Sequence, residues 1–218
     1  MSKPITVMHL RASNFVGGPE KQILEHFSRL DPTRFTPILG TFVEDGALDP
    51  LGDEAIKREF TVVRIPSQSP LNPISIISLS RVLSQNKIDI LCTHGYKPNI
   101  LGFFAAKICR IPNVAISRGW TWESPKIRFY EALDRCFLRY ANHVVAVSFG
   151  QREKIAVSGV PLGKISVIHN AINLSKSVTD HNINIRNELG VPDDAILVAS
   201  AGRLSPEKNY AAMVEVAS

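Results

Sequence analysis

Short runs of β-branched and apolar residues alternate with helical segments between residues 5 and 168. These runs predict seven strands, at residues 5–10, 37–43, 61–65, 88–93, 114–117, 143–148 and 165–168. Apolar residues at helical spacing predict helices between most of them, at residues 19–30, 74–85, 98–109, 125–140 and 151–158. Such alternation is typical of a parallel sheet whose connecting helices cover both faces. The sequence therefore predicts an α/β, Rossmann-like fold.

The length of 218 residues exceeds one ordinary domain and falls short of two. Residues 170–184 are dominated by polar side chains and interrupt the strand–helix rhythm, so we predict a linker there. The prediction is then a first domain at 1–169 and the truncated beginning of a second at 185–218, with one strand at 196–201 and one helix. One strand and one helix cannot bury their apolar faces alone. We therefore expect the natural polypeptide to continue past Ser218, or this piece to dock on another surface.

The composition is that of an ordinary globular protein, with 44% hydrophobic and 21% charged residues. The N-terminal segment does not resemble a signal peptide, and the apolar runs are shorter than a spanning helix needs, so we expect a cytoplasmic protein. The formal net charge of +5 suits nucleic acid, an anionic membrane surface or a phosphorylated substrate. Because the few aromatic residues are not interleaved with basic ones, we expect no nucleic-acid partner.

Two adjacent glycines, Gly17 and Gly18, come between the first predicted strand and the helix that begins at Pro19. Backbone amides at a helix N-terminus attract anions, and glycines let the backbone approach a ligand closely. The alternative is a loop that needs glycine only for a positive φ. The segment is not the G-x-G-x-x-G motif, so a nicotinamide cofactor is not expected.

His94 and Arg118 follow the fourth and fifth predicted strands. The carboxyl ends of parallel strands face the ligand cleft in folds of this kind. His94 is therefore a candidate hydrogen-bond donor or base, and Arg118 is a candidate to hold a phosphate or carboxylate. The alternatives are a purely structural histidine and an arginine that stacks on Trp120.

Two cations, Arg203 and Lys208, flank the predicted turn between the last strand and the last helix. This arrangement suits a diphosphate gripped from two sides. Taken alone, a solvated basic loop is the commoner explanation.

Four segments together resemble a known family. Residues 17–20 (GGPE), 145–148 (VAVS), 167–173 (VIHNAIN) and 202–209 (GRLSPEKN) are similar to the G-G-x-E, V-x-V-S, V-I-x-N-G-V-D and G-R-L-x-x-x-K-G segments of retaining family 4 glycosyltransferases. The segments occur in the expected order and span nearly the whole chain.

The resemblance implies the two-domain GT-B architecture, of which this chain would be the N-terminal half and the start of the second domain. It implies transfer of a sugar from a nucleotide-diphosphate sugar to a glycan or lipid-linked acceptor, with retention of configuration, as in cell-envelope polysaccharide biosynthesis. Arg203 and Lys208 would neutralise the leaving diphosphate, Gly17 and Gly18 would bring amides towards the donor, and His94 would line the sugar or acceptor side. No metal and no cofactor are expected.

The chain departs from the family pattern at Arg118, where many members have a histidine, and at Asn209, which replaces a glycine. It also ends before the family's glutamate-x7-glutamate motif, so we expect no turnover from these 218 residues alone. Two alternatives stay open. A nucleotide-sugar 2-epimerase of the same fold should place carboxylates in the cleft for proton transfer. A non-catalytic binding module also fits.

The predicted helix at 125–140 carries Lys126, Arg128, Arg135 and Arg139 around an apolar set. A basic amphipathic helix adsorbs to anionic lipid, which would suit a lipid-linked acceptor and peripheral contact with the inner face of a membrane. The alternative is a solvated helix face on which Glu131 and Asp134 are interspersed with the cations.

Overall fold

The computed structural model describes residues 3–44, 47–67, 72–121, 124–171, 185–202, 204 and 208–217. The chain divides into two compact units, Met1–Ala171 and Ile172–Ser218. Most of the predicted linker, from residue 172 to residue 184, lies outside the described residues.

The first unit contains a single parallel sheet, as predicted. Its seven strands are β1 (Ile5–Arg11), β2 (Phe35–Val43), β3 (Thr61–Pro66), β4 (Ile90–His94), β5 (Asn113–Ser117), β6 (His143–Ala146) and β7 (Ile165–Val167). Their order in the sheet is β3-β2-β1-β4-β5-β6-β7, and every neighbouring pair is parallel. The first strand of the chain therefore lies inside the sheet, between β2 and β4.

Helices connect the strands. They are α1 (Gly18–Phe27), α2 (Pro50–Lys57), α3 (Pro73–Gln85), α4 (Tyr96–Cys109), α5 (Pro125–Leu138) and α6 (Phe149–Val157). The sequence reading predicted all of these except α2, which has only eight residues. Asp49 caps α2 by accepting a hydrogen bond from the Gly52 amide at 3.0 Å, and Pro50 occupies the first turn, where a missing N–H costs nothing.

Helices cover both faces of the sheet, as predicted. On one face, α1 and α2 bury Leu24, Phe27 and Leu51 against the Leu39 side of β2. On the other face, α3 and α4 pack on β1 and β4, and α5 and α6 pack on β5 to β7. Each fully buried side chain of this size contributes about 1.5–3 kcal/mol relative to exposure. Burial of the two faces therefore supplies the main stabilisation of the first unit.

The described helices of the first unit cover only one face of β4, β5 and β6. Because side chains alternate between the faces of a strand, Leu91, Ala115 and Val144 point to the helices and are buried. Cys92 and Val114 point to the opposite face, where they are half-buried and line a cavity beside α1. The sheet thus presents an open groove that reaches the carboxyl edge.

The second unit contains α7 (Ile185–Leu189) and α8 (Tyr210–Ala217). The strand predicted at 196–201 is not formed in this structure, and the second Rossmann-like domain to which it was assigned stays a prediction. Ile196 is 93% exposed and Val198 is 63% exposed. A strand forms only where another strand pairs with it, and the described part of this unit offers none.

No described helix in either unit is both long enough and apolar enough to cross a membrane.

Candidate functional site

The carboxyl ends of β1 and β4 bring two histidines together. The parallel register places Arg11 of β1 beside His94 of β4, and His9 beside Cys92. The His9 and His94 rings stack with their centroids 5.1 Å apart, and His9 Nδ1 lies 2.9 Å from His94 Nε2. Both side chains are buried. The predicted site residue His94 is thus one member of a buried imidazole pair.

Both imidazoles are held in the neutral form. Burial, followed by the charges of His26 and Arg118, lowers the pKa of His9 to about 3. Burial, followed by the charges of His9 and Arg118, lowers the pKa of His94 well below its ordinary value. Since both rings are neutral at pH 7, one of the two facing nitrogens carries a hydrogen and donates a hydrogen bond to the other. His94 Nδ1 is buried and has no hydrogen-bond partner among the described residues, so it is available to a ligand.

Arg11 and Glu20 fix the loop between β1 and α1 to the end of β4. Arg11 donates to Glu20 Oε1 from both Nε and Nη2, at 2.9 Å and 2.8 Å, and from Nη1 to the His94 carbonyl oxygen at 3.1 Å. The Glu20 side chain is fully buried. Burial raises its pKa, but the charge and hydrogen bonds of Arg11 outweigh that effect, so the pKa of Glu20 lies below its ordinary value.

The two predicted glycines lie at the start of α1. Gly17 is the residue before the helix, with φ −97°, and Gly18 is its first residue; neither has a positive φ. The alternative of a loop that needs glycine for a positive φ is therefore wrong. The Gly17 amide donates to Glu20 Oε2 at 3.0 Å, whereas a Cβ added at Gly18 would meet no atom within 4 Å. The backbone at Gly18 is thus open to a close approach.

Arg118 lies at the carboxyl end of β5 and reaches across the groove. Its Nη1 donates to Gln22 Oε1 at 3.2 Å and to Asn170 Oδ1 at 3.1 Å, so it joins α1 to the segment after β7. Burial, together with the charge of Arg11, lowers the pKa of Arg118 below its ordinary value. Its buried Nε has no partner among the described residues. The guanidinium over the Trp120 ring belongs to Arg135, at 5.5 Å, and not to Arg118.

His9, His94 and Arg118 are among the residues that line a cavity of about 550 Å³. The polar end holds His9, His26, His94, Arg118 and Asn170. Apolar side chains of the sheet also line it, among them Val7, Ile90, Val114, Ile116 and Val145, and so do the polar side chains of Gln22, Glu25 and Arg29. A cavity of this size, apolar with a few convergent polar groups, is typical of a small-molecule site. No group of three or more His, Cys, Asp or Glu among the described residues is placed to hold a metal ion.

The remaining two predicted residues belong to the second unit. Arg203 lies outside the described residues. Lys208 is exposed and its side chain lies near Gly202, since a Cβ added at that glycine would be 3.8 Å from Lys208 Cδ. The pairing of these cations around a diphosphate stays a prediction.

The sequence reading missed His9, His26, Gln22, Asn170 and the Arg11–Glu20 ion pair. A signal for His9 was present, because a Rossmann-like strand order places the first strand beside the fourth. With that order, His9 and His94 fall on neighbouring strands near the same edge. Gln22 and Asn170 carried no comparable signal, since only the folded chain brings them to Arg118.

A family model described as Glycosyltransferase Family 4 matches residues 16–176. The match includes Gly17, Gly18, His94 and Arg118, and it ends shortly after the first unit does.

Individual proteins are also similar to the chain. The UDP-Gal:alpha-D-GlcNAc-diphosphoundecaprenol alpha-1,3-galactosyltransferase of Escherichia coli is 27% identical over 223 residues, which cover 98% of this chain and 57% of that protein. The structure of HepE from Anabaena in complex with UDP is 18% identical with a TM-score of 0.77, covering 98% of this chain and 57% of that one. The UDP-GlcNAc 2-epimerase from Neisseria meningitidis bound to UDP-GlcNAc is 17% identical with a TM-score of 0.58, covering 76% and 47%. The chain spans about half the length of these proteins, and the structural likeness shows the fold alone.

Proposed function

From the premise that the chain belongs to Glycosyltransferase Family 4, we propose that it forms the acceptor-side part of an enzyme that transfers a hexosyl group. The donor is a UDP-sugar and the acceptor is a glycan or a lipid-linked sugar. In the step itself, the bond from the anomeric carbon to the diphosphate oxygen breaks, and the diphosphate leaves with the electron pair. A bond to an acceptor hydroxyl oxygen forms with retention of configuration, and the hydroxyl proton passes to the leaving diphosphate. The E. coli relative supports this choice, since its name gives UDP-galactose as donor and a sugar diphosphoundecaprenol as acceptor.

The observation that carries the proposal is the polar end of the cavity. Two neutral imidazoles provide hydrogen-bonding nitrogens that suit sugar hydroxyls, and His94 Nδ1 has no partner among the described residues. Arg118 adds a guanidinium that suits a phosphate oxygen, with a buried Nε likewise unpartnered among those residues. A sugar joined to a diphosphate carries both kinds of group. We assign His94 and Arg118 to the acceptor or the transferred sugar.

On the donor side, we propose that Arg203 and Lys208 neutralise the departing diphosphate, and that the backbone at Gly17 and Gly18 approaches it. Preorganised charges directed at developing negative charge are each worth about 3 kcal/mol in a dry site. We propose that this chemistry requires no metal ion. The setting we propose is cell-envelope polysaccharide synthesis at the cytoplasmic face of a membrane.

The proposal is tested by product analysis with the protein encoded by the full reading frame. Labelled UDP-galactose and a short-chain GlcNAc-diphospholipid are supplied as substrates. We expect a disaccharide-diphospholipid with an α-linkage, and a loss of about 100-fold in kcat for Lys208→Ala. The matched control is Lys57→Ala, at an exposed lysine on α2, which should leave kcat unchanged.

An epimerised UDP-sugar, or neither product, would contradict the assignment and favour the epimerase or the binding module. Equal nucleotide-sugar affinity after both Arg203 and Lys208 are replaced by alanine would contradict the donor-side assignment.

The epimerase is the second candidate because its fold is similar. An epimerase needs acid–base groups beside the sugar carbon that loses its proton. The described lining of the cavity contains one carboxylate, Glu25, which lies 3.2 Å from Arg58 and 4.0 Å from Arg29. This carboxylate is held in ion pairs with two guanidiniums, so the transferase is the better supported function.

A further inference from the structure

The hydrogen bond between His9 and His94 has two possible directions. Either His9 Nδ1 carries the hydrogen and donates to His94 Nε2, or His94 Nε2 carries the hydrogen and donates to His9 Nδ1. A neutral imidazole has a hydrogen on only one of its ring nitrogens. The direction therefore decides what His94 Nδ1 presents to the cavity: an N–H group in the first case and a lone pair in the second.

The burial of His94 Nδ1 favours the second direction. This nitrogen is buried and has no partner among the described residues. In the first direction it would be a buried N–H group without an acceptor, which is rare in native structures because its lost hydrogen bond to water is not replaced. In the second direction it is an acceptor without a donor, which is found more often.

The other nitrogen of His9 agrees with this choice. When His94 donates, His9 carries its own hydrogen on Nε2. His9 lines the cavity, and its Nε2 is not one of the buried side-chain atoms that lack a partner among the described residues. The second direction therefore leaves neither N–H group of the pair buried and unpaired, whereas the first leaves that of His94.

The positive charge at this end of the cavity acts in the same sense. The charges of Arg118 and Arg11 both act on the His94 ring. A nearby cation attracts a lone pair and repels the partly positive hydrogen of an N–H group. The two guanidiniums therefore also favour a bare Nδ1 on His94.

Helix α1 holds His9 in place. The His9 ring packs edge-on against Phe27, with the ring centroids 5.1 Å apart, and the His26 ring lies 5.3 Å away. His9 is 6% exposed and Phe27 is 3% exposed. Because His9 is packed in this way, its Nδ1 is a fixed point to which His94 Nε2 is bound at 2.9 Å. Rotation of the His94 ring would break that contact.

We propose that His9 is a positioning residue: by accepting the hydrogen bond from His94 Nε2, it directs the bare Nδ1 of His94 to the cavity, where Nδ1 accepts a hydrogen bond from a ligand hydroxyl. The hydrogen bond made by one ring nitrogen sets the state of the other. The ligand must therefore offer a hydroxyl hydrogen at this point, and an analogue without it leaves a buried acceptor unpaired. The assignment of this hydroxyl to a sugar rests on the proposed function, whereas the role of His9 does not.

His94 orients the hydroxyl and does not deprotonate it. Burial and the neighbouring charges hold the pKa of His94 well below its ordinary value, so the proton stays on the hydroxyl oxygen when the hydrogen bond forms. This agrees with a transfer in which the leaving diphosphate takes the proton.

The first test locates the hydrogens directly. Nitrogen NMR of the isotopically labelled 218-residue chain at pH 7, without ligand, distinguishes a ring nitrogen that carries a hydrogen from one that does not. We expect the hydrogen on Nε2 and a bare Nδ1 in both His9 and His94. The signals are assigned with His9→Phe and His94→Phe, each of which removes one of the six histidines.

The second test asks whether His9 sets the state of His94. In His9→Phe a ring remains, but no nitrogen accepts from His94, so both neutral forms of His94 should be populated and its Nδ1 signal should move towards that of a protonated nitrogen. In His9→Asn the side-chain oxygen replaces the accepting nitrogen, and Nδ1 of His94 should stay bare. The control is His143→Phe on β6, which makes the same chemical change away from the cavity and should leave the His94 signals unchanged.

The third test concerns ligand recognition. The short-chain GlcNAc-diphospholipid is compared by isothermal titration with analogues in which one ring hydroxyl at a time is replaced by fluorine, which has no hydrogen to donate. We expect one replacement to weaken binding to the 218-residue chain about tenfold. The same replacement should cost about threefold or less in His9→Phe, and about tenfold in the control His143→Phe.

The proposal is overturned if His94 carries its hydrogen on Nδ1 in the unaltered chain, or if His9→Phe leaves the His94 signals unchanged. It is also overturned if no fluorine analogue binds more weakly than the parent compound, or if the loss is the same in His9→Phe. Thermal unfolding by circular dichroism checks that each variant folds, and the spectrum of the unaltered chain needs no variant fold. If the parent compound does not bind at all, the proposed function is contradicted, and the NMR result still decides the role of His9.

Discussion

His9 and His94 come from strands 85 residues apart in sequence and place two ring nitrogens 2.9 Å from each other in a buried contact. Burial and the neighbouring cationic groups lower the pKa of both rings, so protonating either one costs free energy in the folded chain. The pair therefore couples the polar end of the cavity to pH.

The first prediction concerns stability at low pH. Because the pKa of His9 falls from 6.5 to about 3 on folding, the unfolded chain binds a proton in this range and the folded chain does not. The free energy of unfolding is unaffected by His9 above pH 6.5, and it decreases as the pH falls from there towards 3. Between pH 7 and pH 5, His9 alone should remove about 2 kcal/mol. Urea unfolding at a series of pH values measures this.

In His9→Gln, the pH dependence should be visibly smaller, although the variant is less stable at pH 7. The comparison variant is His143→Gln on β6, which removes an imidazole that does not line the cavity. Identical pH profiles for His9→Gln and the unaltered chain would contradict the account.

The second prediction concerns Arg118 and the acceptor. Removing the guanidinium should weaken binding of a short-chain GlcNAc-diphospholipid by roughly 10- to 100-fold, since a hydrogen bond to a charged group contributes about 1.5–3 kcal/mol. Isothermal titration with the 218-residue chain and Arg118→Ala measures the difference. Arg34→Ala is the control, because Arg34 is exposed and lies at the amino edge of the sheet. There its carbonyl oxygen accepts a hydrogen bond from the Ile5 amide at the start of β1. Equal losses in both variants would show that only the overall charge matters.

The third prediction concerns the buried Glu20. In Glu20→Ala, the Arg11 guanidinium loses its carboxylate partner and the Gly17 amide loses its acceptor. A charge left uncompensated in this way should cost about 3 kcal/mol of unfolding free energy. Urea unfolding at neutral pH measures it. Glu25→Ala removes ion pairs to Arg58 and Arg29 at a side chain that is 25% exposed, and should cost about 1 kcal/mol or less. Similar costs for the two variants would refute the distinction.

The fourth prediction concerns Gly95, which joins β4 to α4 with φ +91° and ψ 171°. This conformation is essentially restricted to glycine, and an added Cβ would lie 2.9 Å from Arg11 Nη1. Gly95→Ala should therefore cost about 2 kcal/mol of unfolding free energy. Gly150→Ala, in α6 with no atom within 4 Å of the added Cβ, should instead stabilise by about 0.5–1 kcal/mol. Thermal unfolding of both variants measures whether stability falls in the first and rises in the second. A loss of stability in both variants would contradict the argument from backbone conformation.

The fold could be predicted from the sequence where the local pattern of apolar residues in a segment specifies its secondary structure. The apolar runs predict all seven strands because a strand buried in a parallel sheet reads as a continuous apolar segment. Helix α2 was missed because eight residues are too few for a periodic pattern, although Asp49 and Pro50 mark its start. Residues 196–201 show the opposite error, since a strand-like segment remains irregular where the described residues provide no pairing strand.

The site was less accessible to prediction, because its contacts join distant parts of the chain. His94 and Arg118 could be selected since each follows a strand and carries a functional side chain. Their partners could not, since Gln22 lies 96 residues and Asn170 lies 52 residues from Arg118 in the sequence. The inward orientation of Glu131 and Asp134 was equally hidden. The sequence of α5 is compatible both with acids that face the solvent and with acids that are buried.

The interior position of β1 has a consequence for biosynthesis. The first strand to leave the ribosome pairs on one side with β2, but its other neighbour is β4, which ends at residue 94. Until that stretch has been translated, β1 exposes a hydrogen-bonding edge, and the nascent polypeptide is open to pairing with other chains. Conditions that slow elongation before residue 94 should therefore increase aggregation during synthesis, whereas pauses after it should be tolerated.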